Sequence, residues 1–238
     1  MSMDTSYWKN KNNSIRFEET TKQFFGKYLY RLKMSVPGGR IIYENRDYAE
    51  AVESRRHFRQ FNPGGYWGKG TLNTDSIDVG LLYAIRELKD TNPNIKMRVE
   101  EPEIQFYAES EAELKAISIK LGAKYNTALL SISGPASDST QQLLKTGVII
   151  RKKEFGYKYK IILRDCRCEI DTKQQILNYM EGMGADEVKV SAGTKRMLGS
   201  KYNGFWGIWF YANDEKVITF LELIHPGCVL NIHPVVVA

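Results

Sequence analysis

The sequence repeats itself, and this limits the possible folds more than any other feature. Phe25-Gly26-Lys27-Tyr28-Leu29-Tyr30-Arg31 resembles Phe155-Gly156-Tyr157-Lys158-Tyr159-Lys160, and each segment opens an apolar, β-rich run. Further along, Phe106-Tyr107-Ala108-Glu109-Ser110-Glu111 resembles Phe210-Tyr211-Ala212-Asn213-Asp214-Glu215, where each closes a strand and opens a helix. The two pairs recur in the same order, so the chain reads as two diverged copies of one unit. The first copy spans 24–134 and the second 154–238. The polar, Asn- and Lys-rich residues 1–23 read as a flexible N-terminal arm. Residues 135–153, Ser- and Gln-rich at their start, read as a linker with room for a short helix before Thr146.

In the second copy, the aromatic and β-branched run Tyr157 to Arg164 predicts a strand. Helical spacing of Ile176, Leu177, Tyr179 and Met180 follows Asp171 and ends at Gly182 and Gly184. Glu187 to Ser191 and Phe205 to Tyr211 predict two more strands. Asn213 is placed to cap a helix that Pro226-Gly227 ends, and Cys228 to Val237 predicts the last strand. The order is β-α-β-β-α-β. The first copy has the same order, with an insertion at 38–72 after its first strand. The fold class expected is therefore α+β, as two tandem ferredoxin-like copies.

Such a sheet has helices on one face only and strand order 4-1-3-2, and its side chains alternate between faces. That phase puts Tyr157, Tyr159, Ile161 and Leu163 inside, with Lys158 and Lys160 on the open face. In the first copy Tyr28, Tyr30, Leu32 and Met34 point inside, while Arg31 and Lys33 point out. Carrying the phase of Ile104 and Phe106 onto the second copy puts Trp206, Ile208 and Phe210 inside, and Phe205, Trp209 and Tyr211 outside. Aromatic rings flanked by lysines on an open sheet suit the stacking of unpaired bases and contact with their phosphates. The layout is similar to that of an RNA-recognition motif. Asn203-Gly204-Phe205-Trp206-Gly207-Ile208-Trp209-Phe210 supplies the Gly-Phe pair and the last aromatic of that motif's third strand, but it lacks the leading basic residue and has Gly207 at a stacking position.

Charge supports a polyanion partner. The chain of 238 residues holds 34 Lys+Arg against 28 Asp+Glu, a net charge of +6. Residues 1–70 carry 13 basic and 7 acidic side chains, whereas residues 71–150 carry 8 and 11. Within the insertion, Arg55, Arg56, His57 and Arg59 end a predicted helix, and a glycine-rich loop with Tyr66, Trp67 and Lys69 follows. Arg forks and exposed backbone N–H groups bind phosphate, while cations at a helix C-terminus also complement its dipole. The loop is not a P-loop, because Pro63 replaces the first Gly and Gly70 follows the Lys. No apolar stretch approaches ~18 residues, and three cysteines do not make a disulfide scaffold; with a polar N-terminus, these features lead to the expectation of a cytoplasmic protein without a membrane partner.

Catalytic signatures are lacking. Cys166, Cys168, His225 and Cys228 fall at the ends of neighbouring strands and are the one candidate zinc set. The reading is a non-catalytic protein without cofactor that binds single-stranded nucleic acid, RNA before DNA. Arg31, Lys33, Arg55, Arg56, Arg59, Lys69, Lys158 and Lys160 would meet phosphates, and Phe205, Trp209 and Tyr211 would meet bases. The alternative is a structural or assembly protein whose aromatic face forms an oligomeric or partner interface. A third is a metal-independent ribonuclease with His57 or His233 as general base.

Overall fold

Trp8 decides the fate of the N-terminal segment. Its ring is fully buried, and its Nε1–H donates to Glu111 Oε1 at 2.8 Å. Helix α1 (Thr5–Lys11), capped by the Asp4 side chain, is held there. Strand β1 (Arg16–Glu19) then runs parallel to β5 (Leu129–Gly134). The expected arm is thus a helix and an edge strand, because one large apolar side chain and a strand partner offset the polar composition. The computed structural model describes residues 3–44, 46–61 and 74–237, with the backbone alone for 58–61. The chain divides into two units, Met1–Lys145 and Thr146–Ala238.

In the first unit, every second residue of β2 (Tyr30–Ser35) is buried, which is the signature of a strand covered on one face. The insertion forms α2 (Tyr48–Phe61), whose Tyr48 stacks on Tyr83 with ring centroids 4.7 Å apart. Helix α3 (Val79–Thr91) buries Leu81, Leu82, Ile85 and Leu88. Strands β3 (Lys96–Glu100) and β4 (Glu103–Ala108) form a hairpin, and α4 (Glu111–Leu121) begins with a full capping box from Ser110 and Glu113. The sheet order is β1-β5-β2-β4-β3.

Helix α5 (Asp138–Lys145) closes the first unit, and β6 (Ile149–Arg151) opens the second. The expected linker is therefore another helix and edge strand. After β7 (Tyr159–Leu163) come α6 (Ile170–Gly182), β8 (Val188–Val190), α7 (Ala192–Leu198), β9 (Trp209–Ala212), α8 (Lys216–Ile224) and β10 (Val229–Val237). The order β6-β10-β7-β9-β8 matches the first sheet strand for strand, with β6 parallel to β10 as β1 is to β5. The architecture is mixed α+β, with two five-stranded sheets and their helices compatible with two repeated units. No described helix is long and apolar enough to cross a membrane.

All three helices of the second unit contribute to one core with Ile161, Leu163 and Phe210: Ile176 and Met180 from α6, Leu198 from α7, and Val217 and Leu221 from α8. They therefore cover one face of the sheet and leave the other without a helix of this unit. Helix α7 had no counterpart in the sequence reading; the Ser191 hydroxyl caps it, accepting from the Thr194 N–H at 3.1 Å. Asn213 does not cap α8. Its amide donates to the Gly156 and Asp186 carbonyls and its Oδ1 accepts from the Lys158 N–H, tying three segments together.

Candidate nucleic-acid interface

Strand register builds the helix-free face of the second sheet. Lys189, Tyr211, Lys160 and His233 stand side by side across β8, β9, β7 and β10. One step along, Trp209, Ile162 and Asn231 form the next row. Tyr211 is the hub: Phe155 meets it edge-on at 4.4 Å, Trp209 at 5.4 Å, and Tyr157 lies 6.3 Å away. Cations lie over these rings. Lys160 Nζ is 4.4 Å from the Trp209 centroid, Lys189 Nζ 5.1 Å from Phe155, and the Arg151 guanidinium 4.1 Å from Phe155. Arg151 Nη2 also donates to the Tyr211 hydroxyl at 2.8 Å. The strand positions on this face hold no Asp or Glu. Lys158 and Lys189 are exposed and ion-pair with no carboxylate among the described residues.

The first sheet repeats the row: Lys96, Tyr107, Arg31 and Ser133 occupy the matching positions. Phe25, held at a φ of 54°, meets Tyr107 edge-on at 4.9 Å, and Lys96 Nζ lies 4.1 Å over its ring. Here, however, Arg31, Lys33 and Arg98 have carboxylate partners, and of the described cations in these rows Lys96 alone lies over a ring without one. Arg31 Nη2 donates to Glu18 Oε2 at 2.5 Å, Lys33 lies 3.6 Å from Glu103, and Arg98 pairs with Glu100 at 2.6 Å. Burial pushes the Glu18 carboxyl up, but the Ser133 hydrogen bond and the charges of Arg31 and Lys33 outweigh it and hold it below the ordinary value.

The insertion cluster is also paired. Arg55 bonds Glu44, whose carboxyl is held below its ordinary value chiefly by that hydrogen bond. Arg56 Nη1 donates to Glu53 at 2.6 Å, and its Nε lies 3.4 Å from Asp75. The Arg59 side chain and all of Lys69 lie outside the described residues.

Five ring assignments are corrected, and Tyr211 is the first: it stands on the helix-free face but is only 8% exposed, because Phe155 and Trp209 pack against it. Phe205 is fully buried in the core, and Trp206 is 51% exposed. The alternation carried over from the first copy fails because β9 starts only at Trp209. Gly204 (φ 114°) and Gly207 (φ 65°) break the extended backbone before it, and Phe205 bridges Cys166 instead. Tyr28 and Tyr157 precede their strands rather than belong to them, and each turns towards the hub tyrosine of its own sheet. Phe155 and Arg151 belong to the site and were not among the assigned residues; Lys189 stands where the strand phase puts it, on the open face at an edge strand. Phe155 stood in the repeat itself, whereas Arg151 lay in the expected linker.

Cys166 Sγ does meet His225 Nε2, at 3.4 Å. Burial pushes the Cys166 and Cys228 thiols up to about 11 and raises Cys168 as well. Among the described residues, no group of three or more His, Cys, Asp or Glu side chains is arranged to hold a metal ion. His57 lies 3.4 Å from Glu53. His233 Nδ1 lies 2.8 Å from the Gly147 carbonyl, which only accepts, so Nδ1 carries a proton. No protein-family model matches this sequence, and no curated protein matches it.

Proposed function

We propose that this chain binds single-stranded nucleic acid, RNA before DNA, on the helix-free face of its second sheet, and that both units are ferredoxin-like with one added edge strand. The observation that carries the reading is the makeup of that face. It sets the partly exposed rings of Trp209 and Phe155 against Tyr211, itself only 8% exposed, beside Lys158, Lys160, Lys189 and Arg151, and its strand positions hold no carboxylate. Rings stack bases whatever their identity, and each adjoining cation can meet a phosphate. A sheet whose inner strands present aromatic rings is a common RNA platform, which favours RNA. Arg31, Lys33, Arg55 and Arg56 already hold carboxylates, so we assign them no principal phosphate contact.

Fluorescence anisotropy with labelled single-stranded RNA, single-stranded DNA and duplex DNA, across a salt series, tests the reading. Single strands should bind most tightly, with affinity falling steeply as salt rises. Absence of binding at low salt would overturn it.

A second reading, an assembly protein, has its own support: α8 exposes Phe220 (40%) and Leu223 (76%). Light scattering would then give a stable oligomer indifferent to nucleic acid.

A further inference from the structure

Beyond the sheet face, a pocket of about 520 Å³ opens where β7 ends and β9 has not yet begun. Tyr202, Asn203, Phe205 and Trp206 line it from the segment before β9, and Asp165, Cys166 and Arg167 from the segment after β7. Its size lies within the range of small-ligand sites. Tyr202 and Trp206 expose 70% and 51% of their surface, although large aromatics are usually covered. Among the described residues, the side chains of Arg167, Tyr202, Asn203 and Trp206 have no hydrogen-bond partner, so their polar groups all remain available to a ligand.

The loop that presents them is held firmly. Lys173 on α6 is fully buried, yet no carboxylate among the described residues partners it. Its Nζ donates to the Ser200 carbonyl, the Ser200 hydroxyl and the Tyr202 carbonyl, each at 2.8 Å. Burying an ammonium group is costly, and here its three donors fix the backbone that carries Tyr202. Phe205 and Cys166 exchange two backbone hydrogen bonds, and the Gly207 N–H donates to Asp165 Oδ1 at 2.7 Å. Gly204 permits this closeness, because a Cβ there would lie 2.5 Å from the Cys166 carbonyl oxygen. A site fixed before its ligand arrives loses less entropy on binding.

We infer that this pocket takes one unstacked nucleobase of the strand bound on the adjoining face. The inference rests on the nucleic-acid reading above. Charge separates base from phosphate: Asp165 and Arg167 cancel, so the pocket is neutral, whereas the face beyond Trp209 is cationic. Two rings supply stacking surfaces, and Arg167, Asn203 and the second Asp165 oxygen can meet the edge of a base.

The test is the same anisotropy titration, with a labelled single-stranded RNA, on the wild type and on Trp206→Ala, Tyr202→Ala and Trp209→Ala. All three substitutions are at exposed or half-exposed rings, so the fold should be kept. Trp206→Ala should weaken binding about fivefold or more, the scale of one stacked base, and leave the salt slope unchanged because no phosphate contact is lost. If the wild type binds and Trp209→Ala weakens it, while Trp206→Ala and Tyr202→Ala match the wild type, the pocket inference fails and the face reading stands. A shallower salt slope in Trp206→Ala would also overturn the assignment to a base. If the wild type binds no single strand, the face reading fails and takes the pocket with it.

Discussion

The two sheets carry corresponding rows, a Lys and a Tyr common to both, and treat most of the charge on those faces differently. In the first, Arg31, Lys33 and Arg98 are matched by Glu18, Glu103 and Glu100 on the same face. In the second, Lys160, Lys189 and Arg151 lie against Trp209 and Phe155. An exposed ion pair and an exposed cation–π contact are of similar strength, each at most about 1 kcal/mol. They differ in what an arriving polyanion meets. Displacing a cation from a carboxylate leaves that carboxylate to repel the phosphates. Displacing one from a ring leaves a surface on which a base can stack. One scaffold thus yields a self-neutralised face and a receptive one, through a few strand positions.

Experiments can break this contrast at several levels. The largest effect should separate core from face: Phe205→Ala should destabilise the second unit by about 3–5 kcal/mol in denaturant unfolding, whereas Trp206→Ala should stay within about 0.5 kcal/mol. Equal effects would return Phe205 to the surface. Next comes stacking. Trp209→Ala should weaken single-strand binding by roughly 1–3 kcal/mol, while Phe25→Ala, at the corresponding cluster of the first sheet, should leave it unchanged. Charge follows: Lys189→Ala or Lys158→Ala should each reduce the salt slope by about 0.7, the share of one phosphate on a single strand, and Lys33→Ala should not.

The smallest effect concerns acid. The folded Glu18 carboxyl is held below the ordinary glutamate value of 4.5. Its contribution to stability is therefore fully present above that value and is lost as pH falls through the depressed folded value. Urea unfolding of the first unit should weaken in that acid window, and Glu18→Gln should flatten the change. A Glu18→Gln protein with the wild-type acid profile would remove Glu18 from the account.

Much of this architecture was legible because it rests on short-range pattern. Alternation marked β2, β4 and β7, helical spacing marked α3, α4 and α6, and the repeated Phe and Tyr segments linked the two units. What was missed depends on partners distant in sequence. The polarity of residues 1–23 hid one buried tryptophan, and the Ser- and Gln-rich start of 135–153 hid β6, a strand of three residues. The phase before Trp209 failed because two glycines with positive φ interrupt the strand, and a glycine in sequence does not announce its φ. Neither could the sequence show that Arg55 would meet Glu44 rather than solvent, because ion pairing across a chain reversal is set by the fold.

The most direct test of the contrast is ultraviolet crosslinking of the intact protein to a single-stranded RNA, with the adducts located by mass spectrometry. The account predicts adducts in the second unit, on Phe155, Tyr157 or Trp209 and on the segment holding Tyr202 and Trp206. Adducts confined to the first unit, at Phe25 or Tyr28, would contradict it.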